Sequence, residues 1–239
     1  MKRRIAAGCL AFAGALGFWL FAVWPPPLWY RSHWPAKTAF MAMRGTPDST
    51  RRYRPVPLDS IAPAMLTAAM IGEDHRFMQH NGVDFEAIRN ALGYPRASFS
   101  WFSLRDERDM WGALLGAWAH RHDIRGGSTI TQQLAKNLYL SPSRNPLRKL
   151  KEAVTAYRLE AALGKDRIME LYLNTVELGD QVWGVEAASE DYFGHSARTL
   201  SRSEAAALAA SLPFPLSSNP EYHPGRMRWR QRMILERMR

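Results

Sequence analysis

Hydrophobic and polar positions fall into three regimes along the chain. Residues 5–24 carry no charge, and twenty residues at 1.5 Å rise each make a helix long enough for the hydrocarbon core of a bilayer. Residues 25–56 mix proline, tryptophan and arginine without a period, which predicts a linker. From residue 57 onward apolar positions recur three and four apart, the helical spacing. Asp59-Ser60-Ile61-Ala62-Pro63 opens a helix through Met65, Leu66, Ala69 and Met70 that ends near Gly72. A short helix follows over 84–92. Thr129 with Gln132 three residues later forms a capping box, and Asn145-Pro146 marks another start. That second helix runs to Leu163, with Leu147, Leu150, Val154, Tyr157 and Ala161 on one side, and Gly164 stops it. Asp166 caps a helix through Ile168, Leu171 and Tyr172. Residues 184–193 form one ended by Gly194, and Ser201 with Glu204 opens one ended by Pro213. The last helix starts near Pro224. No alternating runs flank hairpin turns and no 20–50-residue repeat occurs, so the expected class is mainly α.

Composition narrows the function. The 239 residues carry a formal charge of +10, which suits polyanionic partners such as nucleic acid, anionic lipid or a phosphate-bearing substrate. A single cysteine, Cys9, excludes a disulfide framework, and the seven histidines lack zinc-ligand spacing. Lys2, Arg3 and Arg4 precede the uncharged run; Trp24, Trp29, Tyr30 and Trp34 follow it. A cleaved signal peptide would be shorter and end in small residues, whereas this run ends in Trp24-Pro25-Pro26-Pro27. The expectation is therefore a cytoplasmic tail (1–4), a transmembrane anchor (5–24), a juxtamembrane linker (25–56) and a catalytic domain (57–239). Within 93–122, Trp101, Phe102, Met110, Trp111, Leu114, Leu115 and Trp118 are too many large apolar groups for a solvated loop. They make either a core helix or, the favoured expectation, an interfacial membrane contact at 98–122.

Three clusters have the chemistry of a site. Gly126-Gly127-Ser128-Thr129 leads into a helix whose start suits an anion, with Gln132, Gln133 and Lys136 within about one turn of each other. Read alone, it is equally an ordinary capped helix. Glu73-Asp74 lies at a helix C-terminus, where the dipole disfavours a carboxylate and raises its pKa, as a general base requires; the alternative is a solvated acid pair. Arg148, Lys149 and Glu152 share a helix face, as a phosphate clamp or as a surface ion pair.

The order of these clusters carries more than each one. Glu73-Asp74-x-x-Phe77-x-x-His80-x-Gly82-x-Asp84, the Gly-Gly-Ser-Thr block, Arg148-Lys149-x-x-Glu152 and Glu170-x-Tyr172-Leu173-Asn174 occur in sequence, with Leu212-Pro213 and Asn219-Pro220 behind them. From about Pro57 onward the chain resembles the peptidoglycan glycosyltransferases of glycosyltransferase family 51, above all the monofunctional biosynthetic ones. The resemblance implies a lysozyme-like α fold on the outer face of the bacterial inner membrane. It implies polymerisation of lipid II into β-1,4-linked glycan strands by an inverting transfer that releases undecaprenyl pyrophosphate. Glu73 then corresponds to the general base and Glu152 to the second acid near the diphosphate. Lys136, Arg148 and Lys149 correspond to its cationic holders, and Asp74, Phe77, His80, Ser128, Gln132, Gln133 and Asn137 to further substrate-binding positions. The carboxylates of Glu73 and Glu152 are expected to face one groove with Lys136 and Arg148. A divalent cation (Mg or Mn) at the diphosphate is compatible with the resemblance but not required by it, and no resident metal is expected. The implied partners are lipid II, the growing lipid-linked strand, the membrane, and other cell-wall synthesis or division proteins, with no nucleic acid. Two departures stand out: the stretch from Asp84 to Gly126 is long for the family, and no Ser-x-x-Lys is present, so no transpeptidase activity is expected. Two other readings remain: a glycan-cleaving enzyme of similar fold, and a non-catalytic, membrane-tethered basic binding module.

Overall fold

The structure is a computed structural model and describes residues 2–45, 47–48, 50–94, 103–119, 127–140 and 146–239. The described α-helices are α1 (Lys2–Phe21), α2 (Ala39–Met43), α3 (Pro63–Glu73), α4 (Phe85–Leu92), α5 (Leu104–Ala119) and α6 (Ile130–Tyr139), followed by α7 (Pro146–Leu163), α8 (Lys165–Thr175), α9 (Val185–Phe193), α10 (Arg202–Ser211) and α11 (Gly225–Arg237). Three short strands, β1 (Arg52–Tyr53), β2 (Glu177–Gly179) and β3 (Val182–Trp183), complete the set. The mainly α class predicted from the apolar spacing is the class observed.

Local signals placed most of these helices. Thr129 and Ser201 form full capping boxes with Gln132 and Glu204. Asp84 caps α4 by accepting the Ala87 N–H at 2.9 Å. Gly194 ends α9 in the left-handed conformation at φ 76°. Asp166 does not cap α8, however: Gly164 holds that position at φ 75°, and Asp166 lies within the first turn. The sheet was not foreseen. β1 runs parallel to β3, and β3 antiparallel to β2 with a bulge between Glu177 and Gly179. Strands of two and three residues are too short for alternation to register.

The apolar row expected to bury α7 faces the other way. Leu147, Leu150 and Tyr157 are exposed, while Glu152, Thr155, Ala156 and Leu159 are buried. The inward face of this helix carries an ion cluster and small residues, and the outer face lies toward α1. There Lys151 sits 4.8 Å from the Trp19 ring centroid, and Arg158 sits 5.7 Å from that of Phe21 and donates to the Phe21 carbonyl.

Residues 25–56, read as a linker, are folded onto the domain. Tyr30, Thr38 and Met41 are buried, α2 packs on α6, and β1 joins the sheet. Among the described residues no helix is long and apolar enough to cross a membrane. The expected span starts at residues 5 and 6, whose side chains lie outside those described; from residue 7 onward α1 exposes Leu10, Phe12 and Phe18. In the 93–122 segment, α5 exposes Leu104 and Trp111. Trp101, Phe102 and the side chains of Leu114, Leu115 and Trp118 lie outside the described residues.

The core is organised around α10. Ala205 to Ala210 are all buried, and this small-residue helix lets α3 pack on it from one direction and α11 from another. A second group is built by α6 against α7 and α8. One glycine fixes how α8 meets the sheet. Gly184 sits at φ 83°, and a Cβ there would stand 2.4 Å from the Asn174 carbonyl oxygen. Neither the strained backbone nor the rigid carbonyl can give way, so Gly184→Ala should destabilise the fold by about 3 kcal/mol or more. Denaturant unfolding checks this; an unchanged midpoint would show that the close approach is dispensable.

Candidate active site

α3 ends by delivering Glu73 to the floor of a groove of about 990 Å³. Gly72, Ser128, Gln133, Lys149, Arg226 and Arg230 supply the polar part of its wall; Ile88, Leu92, Phe214 and Trp229 supply an apolar part. Glu73 is partly buried, its side chain 12% exposed, and it is not unpartnered. Gln133 Nε2 donates to its Oε2 at 2.8 Å, and Arg230 Nη2 donates to its Oε1 at 2.8 Å. Arg230 also donates to the Gly72 carbonyl, one of those left without a partner at the end of α3. Gly72 makes this approach feasible, since a Cβ there would press on Ile234 Cδ1 of α11 at 3.2 Å. Burial pushes the Glu73 carboxyl above the usual carboxylate range, opposed by the Gln133 hydrogen bond, then by Arg230 and Lys136.

The next residue, Asp74, serves architecture. Its Oδ2 accepts the Ile130 N–H at 2.9 Å, and both its oxygens lie 3.0 Å from His80 Nε2. The positive helix start that the sequence offered to a phosphate is thus occupied by a carboxylate of the protein itself. Thr129 and Gln132 take up further groups there: Gln132 N donates to Thr129 Oγ1, and Thr129 N to Gln132 Oε1, each at 3.1 Å. Thr129 Oγ1 also donates to the Gly82 carbonyl at 2.6 Å, tying α6 to the loop after α3. Asp74, Phe77, His80, Gln132 and Asn137 are all buried and are not among the groove-lining residues. Asp74 ties the end of α3 to the start of α6, and the groove receives Gln133 and Ser128 from this part of the motif.

The second acid is also set back. Glu152 is 2% exposed; Arg148 Nη1 donates to its Oε2 at 2.6 Å, and Lys149 Nζ donates to its Oε1. Lys149 reaches on to Ser128 Oγ at 2.8 Å and lines the groove. The expectation that Glu73 and Glu152 open onto one groove with Lys136 and Arg148 is therefore met only by Glu73. A carboxylate saturated by two cations has no need of solvent, so it anchors the cations that face it. Lys136 lies within electrostatic reach of both acids. Burial lowers its pKa first of all; Glu152 raises it, Lys149 and Arg148 lower it, and Glu73 raises it. Its ammonium stands 5.8 Å from the Phe40 ring centroid.

Among the described residues, Asp74, His80 and Asp84 place ligand-type atoms within 4.8 Å of one another. Their oxygens are already engaged by Ile130 N–H, His80, Ala87 N–H and, at 3.3 Å, Arg76 Nε. A guanidinium inside the cluster is incompatible with a cation site. Arg230, Arg226, Trp229 and Phe214 were absent from the sequence-derived site. The available signal was the i, i+4 spacing of Arg226 and Arg230 on a basic terminal helix, which reads as a solvated face until its packing is known.

A biosynthetic peptidoglycan transglycosylase of Bordetella pertussis is 37% identical over 241 residues, covering 98% of this chain and 90% of that protein. One of Acinetobacter baumannii is 34% identical, covering 100% and 97%. The crystal structure of Penicillin-Binding Protein 1A from Haemophilus influenzae matches 46% of this chain and 13% of its own, at 34% identity and a TM-score of 0.30. The profile of the transglycosylase family matches residues 40–96 and 105–239, and the chain belongs to that family.

Proposed function

We propose that the protein is a peptidoglycan glycosyltransferase that lengthens glycan strands from lipid II. In this reading the 4-hydroxyl of the acceptor sugar attacks the anomeric carbon of the lipid-linked donor strand. The hydroxyl proton passes to Glu73, the bond to the diphosphate breaks with inversion, and undecaprenyl pyrophosphate leaves. The carrying observation is that one groove holds a partly buried carboxylate with a raised pKa and the cation Lys149, with an apolar wall beside them. A weak sugar nucleophile needs a base, a leaving diphosphate needs preorganised positive charge, and a polyprenyl chain is suited by Ile88, Leu92, Phe214 and Trp229.

Glu152 holds Arg148 and Lys149 in place before the substrate arrives, which reduces reorganisation during the reaction. The donor set does not suit a resident divalent ion, because both acids of the site are already paired with protein cations. The proposal places the site beside the outer face of the inner membrane. The uncharged 5–24 run and the exposed apolar residues of α1 support a membrane anchor, and Leu104 and Trp111 of α5 support a further interfacial contact. Lipid II and the growing strand are the proposed substrates.

Formation of polymer from purified lipid II in detergent tests the reading; release of fragments from finished cell wall instead would favour the glycan-cleaving alternative. Glu73→Gln should lower turnover about 10²- to 10⁴-fold, the range for a positioned general base, with substrate binding retained in a direct binding assay. Lys149→Ala should raise the KM for the lipid donor about ten- to hundredfold, as loss of a charge-assisted contact does. The pH profile should be a bell narrower than an unshifted glutamate and lysine would give. Activity should fall as pH drops through the raised pKa of Glu73, because the base becomes protonated. It should fall again as pH rises through the lowered pKa of Lys136, because the ammonium loses its charge. Glu73→Gln should remove the acid limb from the residual activity, which a pH series on both proteins measures.

A further inference from the structure

The run Glu170-x-Tyr172-Leu173-Asn174 on α8 divides its work between two faces. On a helix, residues four apart share a face, and the residue two along points to the other side. Glu170 and Asn174 hold the segment before α3. Glu170 Oε2 accepts the Leu58 N–H at 2.7 Å, and Asn174 accepts Val56 N–H at 2.8 Å and donates to the Val56 carbonyl at 2.9 Å. Tyr172 turns into the core, fully buried. Its hydroxyl donates to Gln133 Oε1 at 3.1 Å, and Gln133 Nε2 in turn donates to Glu73 Oε2 at 2.8 Å. A continuous chain of hydrogen bonds thus runs from α8 through α6 to the end of α3.

A carboxamide presents an acceptor at one end and donors at the other. Turned over, Gln133 would set its oxygen against a carboxylate oxygen in a partly buried site, two acceptors with no proton between them. With the hydroxyl removed, Gln133 Oε1 would lose the protein partner it has behind the groove wall. Tyr172 and Glu73 together leave the amide one good arrangement.

We propose that Tyr172 is a positioning residue for the transfer reaction: its hydroxyl holds the Gln133 carboxamide from behind, in the orientation the acceptor-only carboxylate selects, so that an amide N–H stays directed at the base. This rests on Glu73 being the base, as proposed above. The charged and titratable groups around Glu73 are Arg230 from α11, Lys136 from α6, Asp74 next in the chain and Tyr172 from α8. Burial pushes the Tyr172 phenol well above its usual range, so it is neutral throughout the working pH. Removing the hydroxyl therefore deletes a hydrogen bond without changing the charge around Glu73. The Gln133 hydrogen bond is the largest influence drawing the Glu73 carboxyl back toward its ionised form; loosening it should move the protonation midpoint upward.

The test uses the full chain in detergent with Tyr172→Phe, which keeps the ring. Turnover should fall about three- to tenfold, the effect of one hydrogen bond. The KM for the lipid donor should stay within about twofold, since a residue acting through the base alters transition-state and not ground-state contacts, and the acid limb of the pH profile should move to higher pH. Infrared titration of ¹³C-carboxyl-labelled glutamate, differenced against Glu73→Gln, reads the same shift with no substrate present. In a Gln133→Met background, Tyr172→Phe should produce no further shift. Should Tyr172→Phe fold poorly, 3-fluorotyrosine at position 172 supplies a stronger donor and should move the infrared midpoint downward. An unmoved midpoint in either variant overturns the inference, as does a loss of turnover at every pH with the acid limb in place. A moved midpoint in a protein that makes no polymer would support the positioning while defeating the proposed reaction.

Discussion

The arrangement depends on keeping one carboxylate, Glu73, largely out of water at the C-terminal end of α3. A helix end of that polarity repels a negative charge, and burial adds to the penalty. The charge is met by Arg230, 157 residues further along the chain, and by Gln133. Arg230 can reach it only because α3 and α11 both pack on α10, whose buried alanines keep the layers thin. Gly72 removes the side chain that would hold α11 off. Small residues in the core are thus the condition for a charge pair at its edge. Burial keeps the Glu73 pKa raised in spite of that pair, on the wall of the groove, as the proposed role of base requires.

The cationic side follows a related principle with the roles exchanged. Glu152 is the buried group, and Arg148 and Lys149 are the charges it holds toward the surface. A free lysine side chain explores many rotamers, and fixing one costs entropy whenever a ligand binds. Here Lys149 is already held between Glu152 and Ser128 before any ligand arrives. Lys136 is governed by burial and by its place between the two acids, and it has the lowered pKa of a desolvated ammonium. A lysine so placed gains more from an incoming anion than one solvated in the open.

The parts of this legible in the sequence were those fixed by neighbours in the chain. Capping boxes at Thr129 and Ser201, the stops at Gly164 and Gly194, and the acid–base composition of the three clusters all depend on residues within a turn of each other. Tertiary packing decided the rest. Leu147, Leu150 and Tyr157 have the spacing of a core face, yet the core side of α7 is the one carrying Glu152. Asp74 reads as a partner of Glu73 in chemistry, but its role is to accept an N–H from α6, a contact 56 residues distant. The two- and three-residue strands likewise have no local signature, and the spacing of Arg226 and Arg230 reads only as a solvated basic face.

That outward face of α7 bears on how the site meets its substrate. The helix carries Lys149 into the groove wall, with Arg148 and Glu152 paired behind it, and Lys151 and Arg158 toward the aromatic side chains of α1. Clamp and α1 contacts therefore belong to one rigid element of eighteen residues, about 27 Å long at 1.5 Å per residue. If α1 lies in the bilayer as proposed, the height of the cations above the lipid is set by α7 and not by a flexible linker. The folded 25–56 segment strengthens that coupling, since Arg31 donates to the Ala162 carbonyl at the end of the same helix. A diphosphate attached to a membrane-embedded chain has little freedom in depth, so a clamp held at constant height meets it without a search. Rigidity between anchor and clamp then contributes to catalysis in the same way as rigidity within the clamp.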